Sequence, residues 1–325
     1  MGKDVVALGE LLIDMTDNGR SESGNVLFEA NPGGAPCNVL SMLKRFGHDV
    51  SFIGKVGDDI FGNSLKNTLQ EVGIGTENLV MDSDVRTTLA FVQTFEDGDR
   101  DFSFYRNPGA DMMLKKVEVD FDLIKNAKIF HFGTLSMTHE SAREATIAAL
   151  DAAKEAGVLI TFDPNLREPL WKSLDEAKEQ ILTGLKYCDY LKISDNEIQW
   201  LTGEEDYTKG VHKIRETYKI PLITVSLGKE GSLAYYYGDE RDNSKEIIVN
   251  AKPFLSDKTI ETTGAGDTFC GCMIHFILEK GIYNLGEKDL KEMLTFANGA
   301  ASLITRVKGA LKVMPQIEDI KELIK

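Results

Sequence analysis

The chain is organised around one stretch near its C-terminal end, Glu261-Thr262-Thr263-Gly264-Ala265-Gly266-Asp267-Thr268-Phe269. Its two glycines allow the backbone to turn tightly and let a ligand approach the backbone closely. The apolar residues between Phe269 and Ile277 have the spacing of a buried helix. The first N–H groups of a helix lack intrahelical partners, and the helix dipole adds partial positive charge there, so such a terminus is suited to phosphate. The stretch therefore predicts an anion site at the start of a buried helix.

Asp267 is the unexpected residue in this stretch, because a carboxylate does not attract an anion. One interpretation is a helix N-cap, a position that aspartate fills well. The other interpretation is a catalytic carboxylate that acts on a second ligand beside the anion. The stretch alone does not decide between them.

Two better-known glycine motifs do not match this stretch. A dinucleotide fingerprint needs a third glycine at the position of Phe269, and it opens a βαβ unit rather than lying near the C-terminus. A P-loop needs Gly-Lys-Ser/Thr after four intervening residues, and the sequence contains no such string. A Rossmann-type dehydrogenase is thereby disfavoured.

Composition indicates a water-soluble globular protein. The chain has 325 residues, of which 42% are hydrophobic and 27% charged, so it can hold one large α/β domain, or one with a smaller appendage. No linker separates two halves, and we expect a single domain spanning 1–325. The net charge of −15 argues against nucleic acid or an anionic membrane as a partner. The four cysteines do not form a disulfide framework, and ordinary buried thiols are expected. The first residues lack the apolar run of a signal peptide, and no run approaches membrane-spanning length, so we expect a cytoplasmic protein.

The N-terminal region carries polar residues among apolar ones. Residues 4–9 read as a buried strand that 10–14 continue, with Asp14 either at the surface or facing a ligand. The pair Gly33-Gly34 predicts a bare backbone bend before a helix that runs to about residue 47. Asn38 falls in the first turn of that helix, where it bonds either the local backbone or a hydroxyl-rich ligand.

Residues 87–106 alternate in hydrophobicity around a turn at Glu96–Asp99, which predicts a β-hairpin. Period two places Phe102, Phe104 and Arg106 on one face. Because an isolated hairpin is only marginally stable, we expect it to pair with the segment from Leu12 to Ala30. The two segments, about 12–31 and 86–112, would form a discontinuous lid. The alternative is an edge hairpin of the main sheet.

From residue 127 onward, strands alternate with helices, which indicates a parallel sheet with ligands at the carboxyl ends of its strands. Several polar residues and glycines fall at such ends, and their convergence on one edge suggests a site. They are Asn165, Arg167, Ser194, Glu197, Ser226, Gly228 and Gly231.

Several motifs together resemble the PfkB family of carbohydrate kinases, also called the ribokinase family. They are, in chain order, Gly33-Gly34-Ala35-Pro36-Cys37-Asn38, Phe52–Asp59 and Thr262–Asp267. Phe104–Met112, Asp163–Arg167 and Leu170-Trp171 are most similar to the fructokinase branch. The resemblance covers nearly the whole chain. It implies a ribokinase-like three-layer αβα sandwich with a mostly parallel central sheet and a small β-sheet lid.

The resemblance implies an ATP-dependent sugar kinase that converts D-fructose and ATP to fructose 6-phosphate and ADP. Asp267 would take the proton of the attacking hydroxyl, and the amides of Gly264, Ala265, Gly266 and Asp267 would form the anion hole. A helix N-terminus lowers the pKa of a carboxylate, which is unfavourable for a general base. Phosphoryl transfer eases this conflict, because its loose transition state depends mainly on positioning and charge stabilisation.

The resemblance also assigns ligand contacts. Sugar contacts would be Asp14, Gly33, Gly34, Asn38, Phe104, Arg106 and Arg167. Nucleotide contacts would be Asn165, Ser194, Glu197, Ser226, Gly228, Gly231 and Asn298, although Asn298 also fits a helix surface. Serine replaces the family's asparagine at Ser194, the start of its Asn-x-x-Glu motif. Glu197 would act on Mg²⁺ through water, and Glu261 and Thr263, with carbonyls near Gly309, would hold K⁺, although Glu261 replaces the usual aspartate. A homodimer through the lid is expected.

Two alternative functions remain at this point. A 2-keto-3-deoxygluconate kinase needs a cation for the substrate carboxylate, which Arg106 or Arg167 could supply, but Asp14 would repel a nearby acid. An inactive sugar-sensing homologue predicts loss of Asp267 or its flanking glycines, and all of them are present.

Overall fold

The computed structural model describes residues 2–94, 100–239 and 246–325. The predicted turn at Glu96–Asp99 and the side chain of Phe102 lie outside the described part of the chain.

Strands and helices alternate through most of the described sequence. The strands are β1 (Val5–Leu8), β2 (Leu12–Arg20), β3 (Val26–Gly33), β4 (Val50–Gly57), β5 (Gly75–Asp82), β6 (Leu89–Thr94), β7 (Arg100–Tyr105), β8 (Ile129–Gly133), β9 (Leu159–Asp163), β10 (Tyr190–Ser194), β11 (Leu222–Ser226), β12 (Ser232–Tyr236) and β13 (Ile247–Ala251). The helices are α1 (Ala35–Arg45), α2 (Ile60–Val72), α3 (Phe121–Lys125), α4 (Glu140–Glu155), α5 (Leu174–Leu185), α6 (Asp195–Thr202), α7 (Tyr207–Tyr218), α8 (Ala265–Lys280), α9 (Glu287–Ile304) and α10 (Ile317–Leu323).

Within the described residues, the main sheet has nine strands in the order β13-β12-β11-β10-β9-β8-β1-β4-β5. The seven strands from β11 to β5 are parallel to their neighbours, and β12 and β13 join antiparallel. Register pairs Gly133 with Asp163 and Ser194 with Ser226, so the carboxyl ends of β8 to β11 meet at one edge. Polar residues that follow these strands therefore converge, as the sequence predicts.

Both faces of the main sheet are covered. Alternate residues of β1 enter different apolar clusters: Val5 and Ala7 pack with α1, α8 and α9, whereas Val6 and Leu8 pack with α4 and α5. This alternation follows from the two-residue period of a strand. Helices on both sides of a mostly parallel sheet confirm the predicted three-layer αβα sandwich.

A second sheet of four strands has the order β3-β2-β6-β7. The predicted hairpin forms part of this second sheet, with Leu89 opposite Tyr105, and it is not an edge of the main sheet. Strand β2 pairs in parallel with β6, placing Asp14 beside Ala90. The expectation that residues 10–14 continue the first strand is wrong, because β1 ends at Leu8 and Leu12 begins a strand of the second sheet.

In the described part of the chain, no helix combines the length and the apolar character that crossing a bilayer requires. The four cysteines are free and buried, as expected.

Candidate active site

A cavity of about 460 Å³ lies between the second sheet and one edge of the main sheet. The second sheet contributes Asp14, Asn31 and Phe104 to its walls. The start of α8 contributes Gly264 through Asp267 on the opposite side, apart from Ala265. The cavity thus brings a polar sheet face and a helix N-terminus together across one space.

Asp267 lies in the first turn of α8, whose N-cap is Gly264. The capping interpretation of Asp267 is therefore wrong. Its side chain is buried, and its Oδ2 accepts a hydrogen bond of 2.8 Å from Nδ2 of Asn38. Burial raises the pKa of Asp267, and the opposing effects of Asn38, Lys192 and Arg167 do not cancel this. The lowering expected from the helix terminus is outweighed by desolvation.

The backbone of this turn is exposed to the cavity because its residues are small. Gly264 adopts a left-handed conformation with φ of 76°, and a Cβ there would lie 2.6 Å from Cβ of Ala310. A Cβ on Gly266 would lie 3.0 Å from Nζ of Lys192. The N–H groups of Ala265, Gly266 and Asp267 lie in the first turn of α8, where N–H groups have no carbonyl partner within the helix. The N–H of Ala265 donates instead to O of Thr262, at 3.3 Å.

Lys192 and Asp163 form a buried ion pair that the sequence analysis did not identify. Nζ of Lys192 is 2.9 Å from Oδ2 of Asp163, and both side chains are nearly inaccessible. Burial raises the pKa of Asp163 to about 6, whereas the carboxylates of Asp163 and Glu197 raise the pKa of Lys192. The sequence signal was a lysine in the middle of the apolar strand β10. Lysine is almost never buried unless it is paired.

Asp14 and Gly34, which the sequence analysis predicts to contact a sugar, line the same cavity as Asp267. Asp14 faces the cavity, and burial raises its pKa to about 7, with Glu261 and Asp267 acting in the same direction. Gly34 leaves room for the backbone of Glu10, a buried residue whose Oε1 accepts a hydrogen bond of 2.7 Å from N of Ala35. Glu10 was also missed, since nothing in its sequence context separated it from a strand residue.

Asn38 presents two different groups to this region. Its Nδ2 donates to Asp267, and its Oδ1 is buried with no hydrogen-bond partner among the residues that the structure describes. A buried acceptor without a partner is costly. The orientation of Asn38 therefore suits a hydroxyl donor in the cavity.

Arg106 is buried and lies away from the cavity walls. Its guanidinium bonds Oδ2 of Asp111 at 2.7 Å, Oγ1 of Thr138 at 2.9 Å and O of Leu135 at 3.0 Å. These contacts hold the end of β7 against the segment that follows β8 of the main sheet. Arg167, in contrast, is exposed and lines the cavity.

A second cavity of about 370 Å³ shares Asn165, Arg167 and Lys192 with the first. Ser194 and Glu197 also line it, and they form a capping box at the start of α6. Glu197 Oε2 accepts from N and Oγ of Ser194 at 2.8 Å each, and Oε1 accepts from N of Leu166 at 2.7 Å. The Ser-x-x-Glu spacing therefore has a structural role that the sequence analysis did not consider.

The remaining predicted nucleotide residues, Ser226, Gly228, Gly231 and Asn298, are not on the walls of these two cavities. Three of them lie around the turn after β11, where Leu227 N donates to Gly231 O at 2.9 Å. Asn298 is buried beside this turn: its Oδ1 accepts from Ser232, and its Nδ2 donates to the carbonyls of Ala251 and Lys252. The helix-surface interpretation of Asn298 is wrong.

Glu261, Thr263 and Gly309 meet on the wall of the first cavity. Oε1 of Glu261 accepts a hydrogen bond of 2.6 Å from N of Gly309. A carboxylate and a hydroxyl form a hard-oxygen donor set, which fits an alkali or alkaline-earth cation.

Comparison with known proteins agrees with this geometry. Residues 3–317 match the pfkB family carbohydrate kinase. The chain is 41% identical to probable fructokinase-6, chloroplastic, of Arabidopsis thaliana, over 98% of this chain and 82% of that protein. Its fold is similar to that of fructokinase with bound ATP from Xylella fastidiosa (TM-score 0.87, 27% identity, covering 99% and 98% of the two chains).

A double mutant of fructokinase from Vibrio cholerae O395, bound to fructose, ADP and potassium ion, has a TM-score of 0.84 and 26% identity, covering 100% of this chain and 99% of that one. Together with the match over nearly the whole length, these similarities mean that the chain belongs to the pfkB family of carbohydrate kinases.

Proposed function

We propose that this protein is an ATP-dependent fructokinase that transfers the γ-phosphoryl group of ATP to D-fructose, giving fructose 6-phosphate and ADP. The observation that carries the proposal is the buried carboxylate of Asp267, which lies beside the first backbone amides of α8 in a cavity shared with a polar sheet face. The similar proteins named above are a probable fructokinase and two fructokinases of solved structure. One of the two structures holds ATP, and the other holds fructose, ADP and potassium ion.

Asp267 is proposed as the general base. Its raised pKa makes it a better proton acceptor than an ordinary aspartate would be at the same position. In a loose transition state the sugar oxygen loses its proton late, so Asp267 first orients the hydroxyl and then accepts the proton. The amides of Gly264, Ala265, Gly266 and Asp267 stabilise the charge on the transferring group.

The sugar is proposed to lie against the second sheet. The carboxylate of Asp14 and the unpartnered Oδ1 of Asn38 accept hydrogen bonds from its hydroxyls. Gly34 leaves the wall open, and Phe104 and Arg167 border it. Gly33 is not on the wall itself, but its lack of a side chain leaves room for Oδ2 of Asp14. Arg106 acts as a positioning residue, because its buried contacts hold the end of the strand that carries Phe104.

ATP is proposed to extend from the anion hole along the carboxyl ends of β9 to β11. Asn165, Ser194 and Glu197 line the cavity there, and Ser226, Gly228, Gly231 and Asn298 shape the more distant end. When Mg²⁺ is bound with the nucleotide, it neutralises phosphate charge. Glu197 fits this ion through water, since Mg²⁺ keeps several waters in phosphate sites.

K⁺ is proposed to bind at Glu261 and Thr263, behind the anion hole. The fit rests on the hard-oxygen donors gathered there with Gly309. When bound, the cation adds positive charge beside the helix terminus. Turnover is expected to increase when K⁺ replaces a bulky organic cation in the buffer.

The domain is proposed as a single unit, 1–325, whose second sheet serves as a lid formed by about 12–31 and 86–112. Val26 and Phe28 expose more than 40% of their surface on one face of β3, and Tyr105, on the same face of the second sheet, exposes 66%. A second copy of the chain is the proposed cover for this face. Sedimentation equilibrium tests the dimer: Val26→Lys should shift the mass from two chains to one, and a wild-type monomer would refute it.

The reaction is proposed to take place in the cytoplasm, where ATP is available and free thiols such as the four cysteines stay reduced.

The experiment that tests the function is an ADP-release assay with fructose, 2-keto-3-deoxygluconate, ribose and adenosine, run for the wild type and Asp267→Asn. Fructose turnover that this substitution removes supports the proposal. Preferred turnover of 2-keto-3-deoxygluconate would overturn the choice of substrate while keeping the mechanism. Sugar binding without any turnover would indicate an inactive sensor.

A further inference from the structure

A cluster of possible metal ligands lies outside both cavities. His275 and Glu279 are four residues apart on α8 and therefore share one face of the helix. His48 follows α1 and approaches the same face, with its Nε2 2.8 Å from Nδ1 of His275. One ligand atom from each of the three residues lies within 4.8 Å of the other two.

We propose that His48, His275 and Glu279 bind a divalent transition-metal ion of the Zn²⁺ type. Two imidazole nitrogens and one carboxylate oxygen are ligands that Zn²⁺ takes in proteins, with the fourth position left to water. The donor set is too rich in nitrogen for Mg²⁺ or Ca²⁺, which prefer oxygen.

The surroundings of His48 orient its ring for this role. Its Nδ1 is 3.7 Å from Oδ2 of Asp4, and Asp4 is itself fixed by N of Asp49 and by Nζ of Lys128, each at 2.8 Å. A carboxylate behind one ring nitrogen favours a proton there and leaves the other nitrogen free to bind a metal. Nε2 of His48 is thereby directed at His275.

The ring of His275 is held as well. Phe46 stacks on it with ring centroids 3.7 Å apart and planes 7° from parallel. Burial and the neighbouring His48 lower the pKa of His275 to about 4, and burial lowers that of His48. Both shifts favour the neutral ring, which is the form in which imidazole binds a metal.

Binding requires only a small adjustment. With Zn–N bonds of 2.0–2.1 Å, two nitrogens of a tetrahedral site are about 3.3 Å apart, so the two rings must separate slightly from their present 2.8 Å. Glu279 is exposed and free to swing toward the ion. The charged groups that face the cluster are Asp4, Glu279 and Lys128, two acids and one base.

The site would fasten the segment after α1 to the middle of α8. His275 is eight residues beyond Asp267 on this helix, which corresponds to about 12 Å. The metal site is therefore distinct from the catalytic cavity, and its main expected effect is on the stability of the packing between α1 and α8.

Metal titration of the full chain, after treatment with EDTA and buffer exchange, tests the proposal. Co²⁺ should bind with one equivalent and give the visible absorption of a four- or five-coordinate site, and Zn²⁺ should displace it and raise the thermal midpoint. Asp4→Asn should weaken binding by about 10–100-fold, the range for loss of a supporting carboxylate. His275→Gln should abolish both the spectrum and the thermal shift.

Two further variants keep the test decisive. Glu279→Gln changes an exposed side chain, so it should fold normally and still weaken Co²⁺ binding. His212→Gln is the matched control, because His212 lies on a different helix, α7, where it pairs with Glu246, and its loss should leave the spectrum unchanged. Absence of Co²⁺ binding at micromolar concentration, or equal binding by the wild type and Glu279→Gln, would overturn the proposal.

Discussion

Nδ2 of Asn38 donates a 2.8 Å hydrogen bond to Oδ2 of Asp267, joining the first turn of α1 to the first turn of α8. The two residues are 229 positions apart in sequence. The bond holds the proposed base in one orientation and leaves its other oxygen for the sugar hydroxyl. It also lowers the pKa of Asp267, against the larger raising effect of burial.

Asp267→Asn should remove phosphoryl transfer without removing sugar binding. The amide cannot accept the hydroxyl proton, so we expect kcat to fall by about 10²–10⁴-fold, the usual contribution of a general base. Initial-rate kinetics and calorimetric titration with fructose measure the two quantities. A variant that keeps more than a tenth of the wild-type kcat would contradict the role of Asp267 as base.

Asn38→Ala should shift the pH dependence of kcat. Loss of this hydrogen bond raises the pKa of Asp267 further, and because the base acts in its ionised form, the acid limb of the profile should move to higher pH. The KM for fructose should also rise, since Oδ1 of Asn38 is lost. Ser41→Ala is the control: Ser41 lies on the same helix as Asn38, and its loss breaks a bond to the carbonyl of Leu311 but should leave the acid limb in place.

Asp14→Asn should stabilise the unliganded fold at neutral pH while weakening fructose binding. The folded-state pKa of about 7 is above the usual 3.8, so the folded protein holds the proton more tightly and loses stability as pH rises from about 4 to 7. The asparagine variant avoids this loss. The gain at pH 8 is at most about 4 kcal/mol, and less where solvent reaches the carboxylate.

Urea unfolding of both proteins at pH 4 and pH 8 measures this effect. The difference in unfolding free energy should be near zero at the lower pH and favour Asp14→Asn at the higher. A constant difference across the range would mean that Asp14 has an ordinary pKa in the folded protein.

The strand and helix periodicities allowed most of the sandwich to be predicted, because β8 to β11 are apolar runs with polar ends. Residues 10–14 were misassigned, since Leu11, Leu12 and Ile13 are all buried and their apolar run hides the passage from one sheet to the other. Composition cannot indicate where the chain leaves one sheet and enters the other. That point depends on pairing of β2 with β6, more than 70 residues away.

The residues of the candidate site also differ in whether the local sequence could identify them. Gly264 and Asp267 stand out locally, because small residues before an apolar helix are visible in the sequence. Lys192 and Asp163 do not stand out, because their pairing depends on the register of adjacent strands. The contacts of Arg106 depend on the fold as well, because Thr138 and Leu135 are about 30 residues away along the chain. The local pattern gave Arg106 and Arg167 the same interpretation, whereas the structure buries the first and exposes the second.

Asp111→Ala should destabilise the fold strongly. It would leave the buried guanidinium of Arg106 without its counter-charge, and removal of one partner of a buried pair costs about 3–5 kcal/mol. Urea unfolding measures the loss. Glu71→Ala, which breaks the exposed pair with Lys312, is the matched control and should cost less than about 1 kcal/mol. A loss of stability in Asp111→Ala as small as that in Glu71→Ala would show that the Arg106 pair is not important for stability.

Lys192→Met should impair ATP turnover more than it impairs folding. The ammonium lies at the wall of both cavities and within 3.0 Å of where a Cβ on Gly266 would be, so it faces the same space as the anion-hole amides. Loss of one preorganised charge beside the transferring group commonly costs about 10²–10³-fold in kcat. The buried Asp163 left behind can take up a proton, because its pKa is already raised to about 6.

Asp163→Asn separates this role from a structural one. It breaks the same ion pair but keeps the lysine, so a purely structural pair predicts similar losses in both variants. If Lys192 acts on phosphate, Asp163→Asn should retain most of the kcat, and only Lys192→Met should raise the KM for ATP. Steady-state kinetics with varied ATP, together with the thermal midpoint of each variant, distinguishes the two outcomes.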